Sequence, residues 1–290
     1  MSTAAAAEPY AGDRTSGLAK TLDEIRVLVW RNLSHIPRVP ERLADVTIQP
    51  IMFVLLFGYV FGSAIALPGS DAGGADSSAA YREFLIAGIF VQSMVFMSIT
   101  TAIGVSNDMR EGVIDRFRSL PISRSSVLAG RVIATLVEGT LGIAVMSICG
   151  LLIGWSANND IGQTIGAFLL LGGIAFAMIC VGTFIGQVVK NSMTAQTVGF
   201  VVVFPLTFAS NAFVPTDNMP GGLKAFAEWN PVSAMVQAVR ELFGNFPVGT
   251  PEPTVWSLQN ATLYSVLWIV VISSVGLSLA VWRYTKGSVR

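Results

Sequence analysis

Residues 107–124 read Asn-Asp-Met-Arg-Glu-Gly-Val-Ile-Asp-Arg-Phe-Arg-Ser-Leu-Pro-Ile-Ser-Arg. Four arginines and three acids share this stretch with Met109, Val113, Ile114, Phe117 and Leu120. The island stands between two long apolar runs, in a chain of 290 residues of which 52% are hydrophobic and only 12% charged. A soluble domain carries about twice that charged fraction. The apolar residues here are gathered into blocks long enough to cross a bilayer as helix, which takes about 20 residues. The island is therefore a charged interruption between membrane spans, and the fold class is an all-α polytopic membrane protein.

Working outward, the apolar blocks fall at about 48–66, 84–106, 127–153, 165–189, 196–213 and 261–282. Basic residues are distributed unevenly around them. Arg14, Lys20, Arg26, Arg31, Arg38 and Arg42 precede the first block, and Arg110, Arg116, Arg118, Arg124 and Arg131 surround the junction of the second and third. Lys190 follows the fourth block, and Arg283, Lys286 and Arg290 follow or close the sixth. Only Arg82, Lys224 and Arg240 lie in the alternate connections. Cytoplasmic loops are enriched in Lys and Arg, so the pattern predicts six spans with both termini, and the island, in the cytoplasm of a multi-pass plasma (cell inner) membrane protein.

Residues 1–17 are polar and Ala-rich and read as a disordered tail. Over 18–46, Leu18, Leu22, Ile25, Val29, Leu33 and Ile36 recur at helical spacing opposite a charged face, until Pro37 and Pro40 stop the helix. Directly before a span, that pattern predicts an interfacial amphipathic helix, and it also fits a soluble core helix. The six-span domain then occupies 47–290. Gly58-Tyr-Val-Phe-Gly62 and Gly182-Thr-Phe-Ile-Gly186 have the spacing that lets helices approach closely in lipid. The long connection before the last span opens on Phe213-Val-Pro and predicts two short helices, 223–229 and 231–243, the second capped by Asn230 with Pro231 in its first turn. Apolar yet too short to cross, they read as an outer re-entrant hairpin at about 214–245, which must be covered by protein at membrane depth.

Catalytic chemistry finds little footing. His35 is the single histidine, Cys149 and Cys180 lie inside spans with no companion ligands, and no GxxxxGK[ST] phosphate loop is present. No metal site is expected. Glu138 is an acid inside the third span, either a functional group at membrane depth or one paired with Arg131 or reaching water. In the island, Asp108 and Glu111 have capping-box spacing, and Met109, Val113, Phe117 and Leu120 then share a helical face that Pro121 terminates. The reading is a short amphipathic rod, 107–121, able to seat in a groove of a soluble partner; a basic loop on lipid headgroups is the alternative.

Glu111-Gly-Val-Ile-Asp-Arg-Phe-Arg-Ser-Leu-Pro-Ile-Ser-Arg124 followed by Gly130-Arg131 resembles the cytoplasmic signature of type 2 ABC exporter permeases, and within them the daunorubicin-resistance branch. Pro50 with Phe57-Gly-Tyr-Val-Phe-Gly62, and Phe213-Val-Pro, Met219-Pro and Trp229-Asn-Pro231, extend the likeness over residues 25–285. Gly112-Val113-Ile114-Asp115 departs from the Gly-Thr-acid of many relatives.

The resemblance implies two six-helix permeases, alike or homologous, working with two copies of a separate ABC ATPase subunit. That partner would hold ATP and Mg, and this chain would bind no cofactor of its own. It further implies that 107–121 is the coupling helix, with Met109, Arg110, Glu111, Val113, Asp115, Arg116, Phe117, Arg118 and Leu120 docking on the ATPase. The second and fifth spans of relatives line the path, which here brings in Gln92, Phe96, Thr100, Phe200, Phe204, Phe208 and Asn211. The phenylalanines, at i, i+4 and i+8, face either the path or lipid. Such a lining suits a hydrophobic, drug-like compound or, alternatively, a lipid or lipid-linked glycan. No nucleic acid is implied. A secondary carrier without an ATPase is the rival from another class.

Overall fold

A computed structural model describes residues 48, 51–53, 55–56, 75–112, 124–216, 219–246 and 253–286. The expected tail and interfacial helix, most of the first block with its GxxxG, and island residues 113–123 lie outside the described residues. Every regular element among the described residues is helical. In chain order these are α1 (Ala75–Arg110), α2 (Arg124–Ile153), α3 (Ile161–Val188), α4 (Ser192–Phe208), α5 (Gly221–Trp229), α6 (Pro231–Phe243), α7 (Trp256–Gln259) and α8 (Ala261–Lys286). Four of them are long and apolar enough to cross a membrane, over Tyr81–Arg110, Ala129–Ile153, Ile161–Val188 and Ala261–Arg283, and α4 is a shorter apolar helix.

The helix α3 is at the centre. It is apolar around its whole circumference, as a helix that meets both protein and lipid can be, and α1, α2, α6 and α8 all pack on it. Its Gly182 and Gly186 make the tightest of these contacts. A Cβ on Gly186 would fall 2.6 Å from the Ala102 carbonyl oxygen and 2.7 Å from Val105 Cβ, and one on Gly182 would meet the Ser98 carbonyl and Thr101 Cβ. The GxxxG spacing thus marks a backbone-to-backbone seam within one chain, between α1 and α3. On the opposite side of α3, Gly276 of α8 sits on Cys180, where an added Cβ would lie 3.1 Å from the cysteine's own.

Some boundaries differ from expectation. The helix α1 runs well beyond 84–106 at both ends, because neither Ala75–Tyr81 nor Asn107–Arg110 contains a Gly or Pro to break it. The helix α4 starts four residues before the predicted span: the side chain of Asn191 accepts from the Thr194 N–H at 2.7 Å and caps it. It also stops at Phe208, short of 213. Pro205 removes one helical donor, and the carbonyls left at this end find other partners. Asn230 donates to the Leu206 and Ala209 oxygens at 2.7 and 3.0 Å, and Ser210 Oγ donates to the Thr207 oxygen at 2.5 Å. At 17 residues α4 is about 25 Å long, less than the roughly 30 Å of hydrocarbon.

The two short helices before the last span have the predicted cap. Asn230 accepts from the Val232 N–H at 2.9 Å while Pro231 opens α6. Because the same side chain also holds two carbonyls of the α4 break, Asn230→Ala is expected to cost about 2–3 kcal/mol, read as a lowered thermal midpoint in detergent. An unchanged midpoint would show that water replaces all three bonds. The two helices differ in burial. The helix α6 is buried from Val232 to Arg240, whereas α5 leaves Leu223, Phe226 and Trp229 exposed and buries only Ala227.

One end of the bundle is closed by aromatic rings. Trp155, in the turn between α2 and α3, packs edge-on against Phe90 and Phe243 with centroids 5.5 and 5.1 Å away. Its indole N–H donates to Asn245 Oδ1 at 2.9 Å, and Asn245 Nδ2 donates to the Ser156 carbonyl at 2.8 Å. Gly244, at φ +70°, provides the left-handed residue that ends α6. These bonds tie the end of α6 to the α2–α3 turn.

Candidate functional site

The sequence points to three places: the island, the proposed path and Glu138. At the island, Met109, Arg110 and Glu111 are exposed at the tip of α1. Val113, Asp115, Arg116, Phe117, Arg118 and Leu120 lie outside the described residues. The capping-box reading of Asp108 and Glu111 is overturned. Asp108 sits inside the last turn of α1, and an N-cap must have non-helical backbone. The helix ends at Arg110; the Glu111 N–H still donates to the Asn107 carbonyl at 3.0 Å, and Gly112 turns left-handed at φ +65°. Asp108 instead forms an ion pair with Arg131 of α2. Glu138 is half-buried on α2.

The proposed path residues divide into two groups. Thr100, Phe200 and Phe204 are exposed, and Phe96 and Phe208 are half-buried. Their rings form a strip along α4 and its neighbour. Phe96 meets Phe200 edge-on at 5.9 Å, Phe204 stacks on Phe208 at 4.1 Å, and Phe208 stacks on Phe213 at 5.2 Å. Phe53, from the first block, stacks on Phe213 at 6.0 Å. Gln92 and Asn211 do not share this surface. They are 3% and 4% exposed, and Gln92 Nε2 and Asn211 Oδ1 have no hydrogen-bond partner. An aromatic strip on the surface and two unpaired amide atoms inside the chain do not form one lining.

The structure adds a residue that the charge pattern had assigned to an outer connection. Arg240 of α6 is 1% exposed and is among the largest fully buried side chains described. Its Nε donates to the Phe84 carbonyl at 2.9 Å, and its Nη2 donates to the Asn211 and Ala212 carbonyls at 2.9 and 3.0 Å. The guanidinium carbon lies 3.4 Å from the centroid of the Phe84 ring. Gly88, one turn along α1, allows the 211–212 backbone to approach, since a Cβ there would strike the Ala212 carbonyl. Tyr81 donates to the adjacent Phe213 carbonyl at 3.2 Å. Arg240 thus satisfies the open backbone after α4 and pins it to α1. The signal was the single arginine of a short helix that otherwise carries mostly apolar side chains beside Gln237 and Glu241.

Residues 23–244 match the ABC-2 type transporter family. A daunorubicin resistance ABC transporter permease of Streptomyces coeruleorubidus is 31% identical over 229 residues, 79% of this chain and 76% of the relative. A doxorubicin resistance ABC transporter permease of Mycobacterium tuberculosis is 24% identical over 237 residues, 81% of this chain and 80% of the relative.

Proposed function

We propose that this chain, which belongs to the ABC-2 type transporter family, is the membrane permease of an ATP-driven exporter of hydrophobic or amphipathic compounds. Two copies of a separate ATPase bind ATP and Mg and supply the energy, and a second permease, identical or homologous, completes the pathway in the plasma membrane. Both termini and the island are cytoplasmic. The observation that carries this reading is the way α1 ends. A helix long enough to cross the bilayer reaches an exposed tip at Met109–Glu111, turns at Gly112 and leads into the amphipathic sequence centred on Phe117. That arrangement supports a docking rod with Arg116, Phe117 and Arg118 at its centre and Val113, Asp115 and Leu120 beside them.

For the cargo, the strip of Phe96, Phe200 and Phe204 supports a planar, apolar compound. Aromatic faces accept ring systems by offset or edge-on stacking, and a few polar groups suffice for orientation. The relatives named for daunorubicin and doxorubicin resistance favour the same class.

Co-purification with the partner ATPase tests the reading. Phe117→Asp puts a charge at the centre of the apolar face, and is expected to weaken ATPase association at least about tenfold, as loss of a central anchor does, and to abolish export from vesicles. Undiminished association and export in that variant would remove the docking rod. Export of a fluorescent anthracycline that survives ATP depletion but not collapse of the ion gradients would instead establish a secondary carrier. A labelled lipid exported in preference to the anthracycline would reassign the cargo.

A further inference from the structure

Asp108 and Arg131 stand on the two helices that deliver the island, the first in the last turn of α1 and the second about two turns into α2. Their ion pair is mostly covered, with 34% and 24% of the respective side chains exposed. Arg131 also runs along the face of α1 one turn before Asp108. A Cβ on Gly104 would collide with its Nη2, so the missing side chain at 104 leaves room for the guanidinium against α1.

Elsewhere α1 and α2 meet less firmly. Their shared surface is slight beside that of α1 and α3. The contacts include Met97 lying over Gly139, and Ser93 Oγ donating to the Met146 sulfur at 3.4 Å. Methionine is flexible and readily repacks. The apolar part of α2 is 28% buried, against 78% for α1. The α2 helix is therefore an arm loosely apposed along its length and held by charge at the end where the island begins.

We infer that the Asp108–Arg131 pair is a positioning element for energy coupling, which makes the two helix ends bearing the island move as one body. The inference rests on the docking reading above. Without the pair, a push on the island bends or slides one helix against the methionine contacts. With it, the displacement passes into α1, and through the glycine seam into α3, while α2 follows. Neither residue lies on the predicted docking face, so both act through the island and not by touching the ATPase.

The test uses the full permease–ATPase complex in vesicles, with Asp108→Asn, Arg131→Gln and the exchange Asp108→Arg with Arg131→Asp. Export per ATP hydrolysed, ATPase association and the thermal midpoint are measured together. The single variants are expected to bind the ATPase and to melt within about 2–4 °C of the unaltered protein, yet to export about three- to fivefold less per ATP. That is the scale of a partly exposed pair worth up to about 1 kcal/mol. The exchange should restore most of the lost coupling. Unchanged export per ATP in both single variants overturns the inference, as does a loss that tracks a lowered midpoint, or an exchange that melts normally without recovery. If Phe117→Asp leaves ATPase association intact, it is the docking reading that fails. If Phe117→Asp abolishes association while the Asp108 and Arg131 variants couple normally, only the positioning role is lost.

Discussion

Replacing Arg240 with methionine is expected to lower the thermal midpoint of the purified permease by about 10 °C, and to leave much of the protein aggregated on extraction. Two effects oppose one another. Removing a buried guanidinium relieves its desolvation, and apolar replacement of buried ions is sometimes neutral or stabilising when all charged partners are replaced together. Here the partners are the main-chain carbonyls of Phe84, Asn211 and Ala212, which no side-chain substitution can remove. Each buried carbonyl left unpaired costs about 1–3 kcal/mol, so the loss is on the order of 3–5 kcal/mol before the Phe84 contact is counted. At about 2–4 °C per kcal/mol for a chain of this size class, the midpoint falls by roughly the stated amount.

Arg240→Lys separates charge from geometry. The ammonium keeps the charge and three donors but cannot spread flat over Phe84 while bonding carbonyls on both sides. It should therefore recover less than half of the lost stability. A methionine variant as stable as the parent would mean that water or backbone movement satisfies the three carbonyls. The latch between α1 and the α4 break would then have to be abandoned.

The contrast between Asn230 and Arg240 shows what a sequence makes legible. Asn230 caps α6 through the Val232 N–H two residues away, and the Asn-Pro pair declares that role locally. Arg240 bonds carbonyls 28, 29 and 156 residues distant, so its neighbours in sequence say nothing about its partners. Counting it as a charge of an outer connection missed its burial. Asp108 failed for a related reason. Its spacing from Glu111 satisfies a local capping pattern, but no residue before it breaks the helix, and its partner Arg131 lies 23 positions on. Gln92 and Asn211 were assigned by the spans they occupy. Gln92 is on the buried side of α1 and Asn211 lies in the turn after α4, and span membership alone does not say either.

Gly186→Leu is expected to have an effect as large as loss of Arg240, and for a reason of a different kind. The position already tolerates no Cβ: the Ala102 carbonyl oxygen and Val105 Cβ would lie 2.6 and 2.7 Å from it, inside van der Waals contact. Leucine must therefore drive α1 and α3 apart, or turn α3 and expose its Gly182 contact as well. In lipid, helix association depends on close packing and not on expulsion of water, so the separated surfaces have little to replace what they lose. Overpacking typically costs about 1–3 kcal/mol per site, and a backbone seam that carries Gly182 with it should reach the upper end or beyond. The helix supplies its own control. A Cβ on Gly172 meets nothing within 4 Å, so Gly172→Ala is expected to be neutral or to stabilise by up to about 1 kcal/mol through helix propensity. The seam predicts opposite signs for two glycines 14 positions apart on α3. Equal tolerance of Gly186→Leu and Gly172→Ala in thermal melts would place the α1–α3 contact elsewhere. It would also weaken the route proposed above from the island to α3, because α1 approaches α3 most closely at that seam.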